Sequence, residues 1–349
     1  MKRVMKNKSF ILIMFVLSVL LLNACSNGDS NESGGEENTE RTTINYSHFW
    51  PSHHIVQTDV LEEFQAEIEN ETEGVNMEIY PAGQLGTPDS QYDMAVTDTV
   101  DMSLAVHGYT PGKFPLMSVS DLPFIAESSE EASQIIWELY NEFPELQAEH
   151  DEVTTLWLFA GEPNQLLSAK NPIEKLEDLE GLKVRSPSPI STELIKAWGG
   201  VPVSMPVNDI YESLDKGIID AAMAGVSTVY DLNLHEVVDY ITIGNFSTSS
   251  MFSVMSTNTF NSLSENDQDY FSSLGDDMST RTGAALDKAG EEGFQQADES
   301  GIEVVDLSED ELKKWKEAAE PVVQDWISEM EGEGLPGEEV YNRMEELGD

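Results

Sequence analysis

Cysteine is almost missing from this 349-residue chain: Cys25 is the only one. A disulfide framework needs pairs and a thiolate zinc cluster needs several ligands, so both are excluded. Positive charge is scarce too. Eighteen Lys and Arg stand against 66 Asp and Glu, a formal net charge of −48. That balance argues against a nucleic-acid partner, because phosphate binding needs a basic face. No apolar run reaches the length of about 20 residues that a membrane-spanning helix needs. The apolar content of 40% is still enough to build cores, and the length favours two domains over one.

Residues 1–24 read as an export signal. Lys2, Arg3, Lys6 and Lys8 form a charged start, and Phe10 to Leu22 is apolar apart from Ser18. Leu22-Asn23-Ala24-Cys25 resembles a bacterial lipobox, in which the cysteine is lipidated and becomes the new N-terminus. An ordinary signal peptide with an incidental cysteine is the alternative. Residues 25–40 hold no large apolar side chain and read as a disordered tether. Without residues 1–24, 14 cations face 66 anions, a net charge of −52. Such a chain repels itself at low salt and tolerates its charge where salt screens it, the Debye length being roughly 3 Å at 1 M. The expectation is a halophilic or otherwise extreme external setting, with a merely acidic exported protein as the alternative.

From about Thr43 onward, strand-like and helix-like segments alternate, which argues for an α/β fold. Val75, Met77 and Ile79 alternate like a half-buried strand, as do Met102, Leu104 and Val106. Val56, Val60, Leu61, Phe64 and Ile68 recur at helical spacing. Ser128 with Glu131, and Ser308 with Glu311, have the spacing of capping boxes and predict two helix starts. Gly181 to Val184 reads as a strand, and Ile218-Ile219 as the start of another that ends near Ala222. A helix is expected from Ser264 to about Glu299, long enough to brace two domains.

Catalytic signatures fail on inspection. His235 to Asp239 misses the HExxH zinc pattern, because Asp239 replaces the second imidazole. His53 and His54 are adjacent and do not share a helical face, so with Asp59 they make a poor metal site. Gly108 to Lys113 lacks P-loop spacing and carries Pro111 where backbone N–H groups should cradle phosphate. No nucleophile–base arrangement is legible. The expectation is a non-enzyme with no cofactor and no metal; an exported enzyme acting on an acidic substrate is the rival.

The stretch from Leu176 to Asp220 is the informative one. Arg185 stands at the carboxyl end of a strand, just before Ser186-Pro187. Ligands of open α/β sheets sit outside the carboxyl ends of strands, and the arginine fork pairs bidentately with a carboxylate. A surface or salt-bridging arginine is the alternative that position alone allows. The wider pattern resembles the substrate-binding proteins of tripartite ATP-independent periplasmic (TRAP) transporters. Its landmarks here are Tyr80-Pro-Ala-Gly-Gln-Leu-Gly86, Val100-Asp101-Met102, Asp121-Leu-Pro-Phe124, Gly181 to Pro187, Gly199 to Met205, then Asp209, Tyr211 and Leu214, and Ile218-Ile219-Asp220. The resemblance covers roughly residues 44–330.

The resemblance implies a two-domain, periplasmic-binding-protein-like α/β fold (type II-like), with a hinge and a long domain-spanning helix. The expected domains are 41–162 with 250–288, and 163–249 with 289–349. It implies a lipid-anchored receptor on the outer face of the cytoplasmic membrane. The receptor would capture an organic acid anion in the cleft and hand it to the two membrane subunits of a permease, or signal to a sensor protein. Arg185 would hold the carboxylate. Strand ends add Trp50, His53, His107, Tyr109, Asn164, Gln165, Met223 and Ala224 as cleft candidates. Gln165 and Ala224 stand where sialic acid receptors carry Arg and Asn, which favours a monocarboxylate or a small keto or hydroxy acid. A dicarboxylate needs a second contact from Lys113 or a histidine.

Overall fold

A computed structural model describes residues 42–72 and 74–348. The signal segment, the tether and Cys25 lie outside the described residues. Eleven strands form two sheets: β1 (Thr42–His48), β2 (Val75–Tyr80), β3 (Met102–Val106), β4 (Val153–Ala160), β5 (Gln165–Ser168), β6 (Lys183–Ser186), β7 (Val201–Ser204), β8 (Ala221–Ala224), β9 (Tyr240–Ile243), β10 (Ser250–Ser256) and β11 (Glu303–Asp306). The first sheet has the order β2-β1-β3-β10-β4 and the second β11-β9-β5-β8-β6-β7. β3 and β10 are buried along their whole length, as central strands covered on both faces must be. Ser253 of β10 is satisfied internally, its Oγ lying 2.7 Å from Tyr46 Oη.

The chain crosses from the first sheet to the second after β4 and returns between β9 and β10. The two crossovers run side by side. Gly161 N donates to Ser249 O at 2.9 Å and Asn164 N to Ser247 O at 2.7 Å. Gln165 ties them further, its Oε1 accepting from Gly244 N at 2.9 Å and Asn245 N at 3.1 Å.

The Gly275–Ser300 helix is the third connection. Its 26 residues reach about 39 Å at 1.5 Å per residue. At its middle Asp287 accepts from Ser129 N (2.6 Å) and Glu130 N (3.0 Å), capping the Ser129–Glu142 helix beside the first sheet. At its C-terminal end Tyr230 Oη donates to Ser300 Oγ at 2.6 Å beside the second. The expected single helix from Ser264 is broken: Glu265–Ser272 ends, and the chain turns at Ser273-Leu274. The glycines explain the long helix instead of weakening it. A Cβ at Gly275 would lie 1.8 Å from the Trp137 ring, and one at Gly283 would lie 2.7 Å from Glu130 Cα. These are sites where two elements approach too closely for any side chain.

Both expected capping boxes start helices, with Ser128 Oγ accepting from Glu131 N and Ser308 Oγ from Glu311 N, each at 3.2 Å. Two segments depart from the sequence reading. β8 begins at Ala221, because Gly217 turns with φ +64° and leaves Ile218 exposed. The C-terminal Gly337–Gly348 helix does not stay with the second sheet. Val340 and Met344 are buried, and Arg343 forms a two-pronged ion pair with Glu142, 2.7 Å in each branch.

Gly283→Ala should therefore lower stability by about 1–3 kcal/mol, the cost of overpacking, although alanine is the better helix former. Gly332, with open space around its Cα, should gain up to about 1 kcal/mol as alanine. Urea unfolding of both variants checks the pair.

Candidate functional site

Arg185 lies on β6, flanked by β7 and β8. It is 2% exposed. Its Nε donates to Met205 O (3.0 Å), Nη1 to Met223 O (2.7 Å) and Nη2 to Tyr109 Oη (3.2 Å). All three partners are neutral. Among the described residues no carboxylate forms an ion pair with Arg185, whereas Arg281 pairs with Glu67 and Arg343 with Glu142. Burial pulls the guanidinium below its ordinary pKa; Tyr109 and the more distant Asp209 act the other way. Five N–H donors minus three engaged leaves two unspent.

A cavity opens beside this group, with about 490 Å³ of atom-free space, part of it open to solvent. The first sheet's side supplies Phe49, Trp50 and Tyr109, and the second sheet's side Arg185, Val207 and Ala224. Asn164 and Ser249 line it from the crossovers. Trp50 is held flat by stacking on His54, with ring centroids 4.4 Å apart. Tyr109 Oη also accepts from Val207 N at 3.1 Å, so its own proton is free to donate.

The seam between the two sides is narrow. Tyr109 reaches Arg185 and Val207 across it, and Asn208 Nδ2 donates to Phe49 O at 3.3 Å. A Cβ on Gly108 would lie 2.6 Å from Ser188 Cβ. His54 Nδ1 accepts from Val56 N at 3.2 Å, which leaves the proton on Nε2, 3.6 Å from Asp231 Oδ2. Burial, with His48 and His53 nearby, lowers His54 to about 3, while burial raises Asp231 to about 6.

Trp50, Tyr109, Asn164, Arg185 and Ala224 thus meet around one cavity. Four other candidates do not line it. Gln165 faces the crossover Gly244-Asn245. Met223 contributes only its carbonyl, to Arg185. His53 is exposed at the rim, 3.9 Å from Asp231 Oδ1. His107 is buried behind the cavity, its Nε2 2.9 Å from His150 Nε2, and burial holds it neutral. Lys113 pairs with Glu152 and also lies outside the lining. His235 stacks on Tyr230, and among the described residues no metal-binding cluster occurs.

Sequence reasoning missed Glu162, Ser227, Met251 and Leu286, all in the lining. Glu162 stands two residues after β4, so the strand-end rule that selected Arg185 would have selected it too. Its Oε2 accepts from Ser227 N at 3.1 Å and its Oε1 from Ser227 Oγ. Burial pushes it up to about 7, against the pull of the Ser227 hydrogen bonds.

Residues 46–329 match the family described as bacterial extracellular solute-binding protein, family 7. A solute-binding protein of Albidiferax ferrireducens is 27% identical over 294 residues, covering 80% of this chain and 85% of that protein. The structure of a marine metagenome TRAP solute-binding protein specific for aromatic acid ligands, in complex with metahydroxyphenylacetate, has 26% identity and a TM-score of 0.84, covering 88% and 98% of the two chains. A TRAP solute-binding protein of Rhodoferax ferrireducens in complex with copurified benzoate has 25% identity and the same TM-score, covering 88% and 97%. Among the described residues no helix is long and apolar enough to cross a membrane. The structure shares the fold of TRAP solute-binding proteins, and the chain belongs to the bacterial extracellular solute-binding proteins of family 7, which are solute receptors rather than enzymes.

Proposed function

We propose that Arg185 captures the carboxylate of a monocarboxylic acid in the cleft and that the chain, anchored through a lipid on Cys25, delivers that acid to a TRAP permease from the outer face of the membrane. The observation that carries this reading is a buried guanidinium with neutral partners only. Burying an unpaired charge costs several kcal/mol, so the site is built to be completed by an anion. The two unspent N–H donors and the free Tyr109 proton supply up to three hydrogen bonds to two carboxylate oxygens. In a poorly hydrated cleft such bonds are stronger than in water. Asn164 and Ser249 add polar contacts, and Trp50 with Phe49 gives an apolar wall for the acid's body.

Monocarboxylate recognition is favoured over dicarboxylate by the same inventory. Lys113 is engaged with Glu152, and the His54 imidazole is neutral. A second ligand carboxylate would meet Glu162 rather than a cation. The benzoate and metahydroxyphenylacetate bound by the two relatives are acids of the favoured kind.

Lobe closure follows from the seam. The ligand binds the closed arrangement better, because only there do Tyr109 and Arg185 converge, so binding shifts the population toward it. The lipid anchor rests on the lipobox-like Leu22-Asn23-Ala24-Cys25 and the apolar run before it.

Three outcomes are expected. Arg185→Ala should weaken binding of the copurifying acid, identified by native mass spectrometry, by about 2–5 kcal/mol in calorimetry; unchanged affinity would contradict the role of Arg185. Gly108→Val should prop the seam open and cost roughly tenfold or more in affinity, as an overpacked contact of about 1–3 kcal/mol does. Its liganded form should stay expanded in small-angle scattering. Cys25→Ser should abolish incorporation of labelled palmitate and release the protein from membranes.

A further inference from the structure

The cleft has a second built pole, and Arg185 has no share in it. Glu162 lines the cavity from the turn after β4. Both of its oxygens accept from Ser227, through its main-chain N–H (3.1 Å) and its hydroxyl, and the Val226 main chain adds to the hold. Two glycines make room for it. A Cβ on Gly225 would lie 2.8 Å from Glu162 Cβ, and one on Gly290 would lie 3.2 Å from Glu162 Oε2. Two separate segments therefore shape a cradle around one carboxyl group: the turn after β8, with Gly225 and Ser227, and the long helix, with Gly290. Each carboxylate oxygen has two acceptor sites, and Ser227 uses one on each. Among the described residues no cation pairs with Glu162, although buried carboxylates are ordinarily paired.

The same cavity also has apolar walls, with Trp50, Met251 and Leu286 in its lining. A bound carboxylate would neutralise Arg185 and leave the Glu162 acceptors facing the far end of the same ligand. An acid with a bare hydrocarbon end would bury those acceptors without a donor, at a cost of about 1–3 kcal/mol.

We propose that Glu162 is the second recognition pole of the cleft and selects, among carboxylate ligands, those whose apolar body ends in a hydroxyl or ammonium group. The proposal rests on capture of the ligand carboxylate at Arg185. Burial that raises Glu162 to about 7 suits a hydroxyl in either protonation state, as a donor to the ionised form or an acceptor from the protonated one. An ammonium group suits the ionised form alone.

Calorimetry on the full mature protein and on Glu162→Gln tests this with benzoate, with 3- and 4-hydroxybenzoate and with 3- and 4-(aminomethyl)benzoate. In the wild type at least one substituted acid should bind about tenfold or more tighter than benzoate. Glu162→Gln should reduce that ratio about tenfold for an ammonium acid, and less for a hydroxy acid because the amide oxygen still accepts. The ratio cancels any general effect of the variant on closure. If Glu162→Gln fails to fold, Ser227→Ala frees one Glu162 oxygen, and the ratio must change there. Benzoate binding as tightly as every substituted acid, or a ratio that neither variant moves, would overturn the role of Glu162 alone. Binding of none of the acids would overturn capture at Arg185 for this class of ligand, and the proposal with it.

Discussion

A guanidinium buried among neutral partners is the constraint around which this molecule is arranged. The chain carries 66 carboxylates, and Arg281 and Arg343 have each found one. Arg185 is more deeply buried than either and has none among the described residues. Two main-chain carbonyls and a phenol hold the fork in place without neutralising it. Such an arrangement is stable only as part of a larger fold that compensates for the desolvated charge, and on the proposed reading an anion completes it. The parallel strands β6, β7 and β8 supply that rigidity, since Met205 and Met223 present their carbonyls from the ends of β7 and β8.

The same group links site and motion. Tyr109 comes from the first sheet's side and touches Arg185 and Val207 on the second's. The polar contact that shapes the anion site is thus also a contact across the seam. Gly108 permits the approach, being the residue where Pro187-Ser188 comes nearest. The long helix and the paired crossovers join the two sides, and the seam adds a further contact between them. On the proposed reading binding and closure are one event, with the ligand supplying the charge that the closed state lacks.

The sequence revealed a good part of this. Alternation in Met102–Val106 and the serine caps before both helices are local signals, and local signals survive in the fold. Arg185 stood out because cations are scarce here and because it sat at a strand end. Glu162 sat at a strand end as well, yet one carboxylate among 66 carries no contrast. Its cradle is made by the Gly225–Ser227 turn, 65 residues on at Ser227, and by Gly290 of the long helix, and nothing in the sequence brings either to Glu162. Asn164 and Gln165 show the limit of strand-end reasoning: adjacent residues face opposite ways, so one lines the cavity and the other ties the crossovers. The return of the C-terminal helix to the first sheet depends on Arg343 meeting Glu142, a contact 201 residues apart. The break at Ser273-Leu274 likewise follows from Trp137 standing where the long helix must start.

The central claim is that the fold holds an unpaired arginine ready for a ligand carboxylate between its two sides. A crystal structure of the protein with its copurified acid tests this most directly. The account predicts both carboxylate oxygens within hydrogen-bond distance of Arg185 and Tyr109, with the cavity closed over the acid. An acid bound with its carboxylate elsewhere, and Arg185 still bonded only to Met205, Met223 and Tyr109, would contradict it.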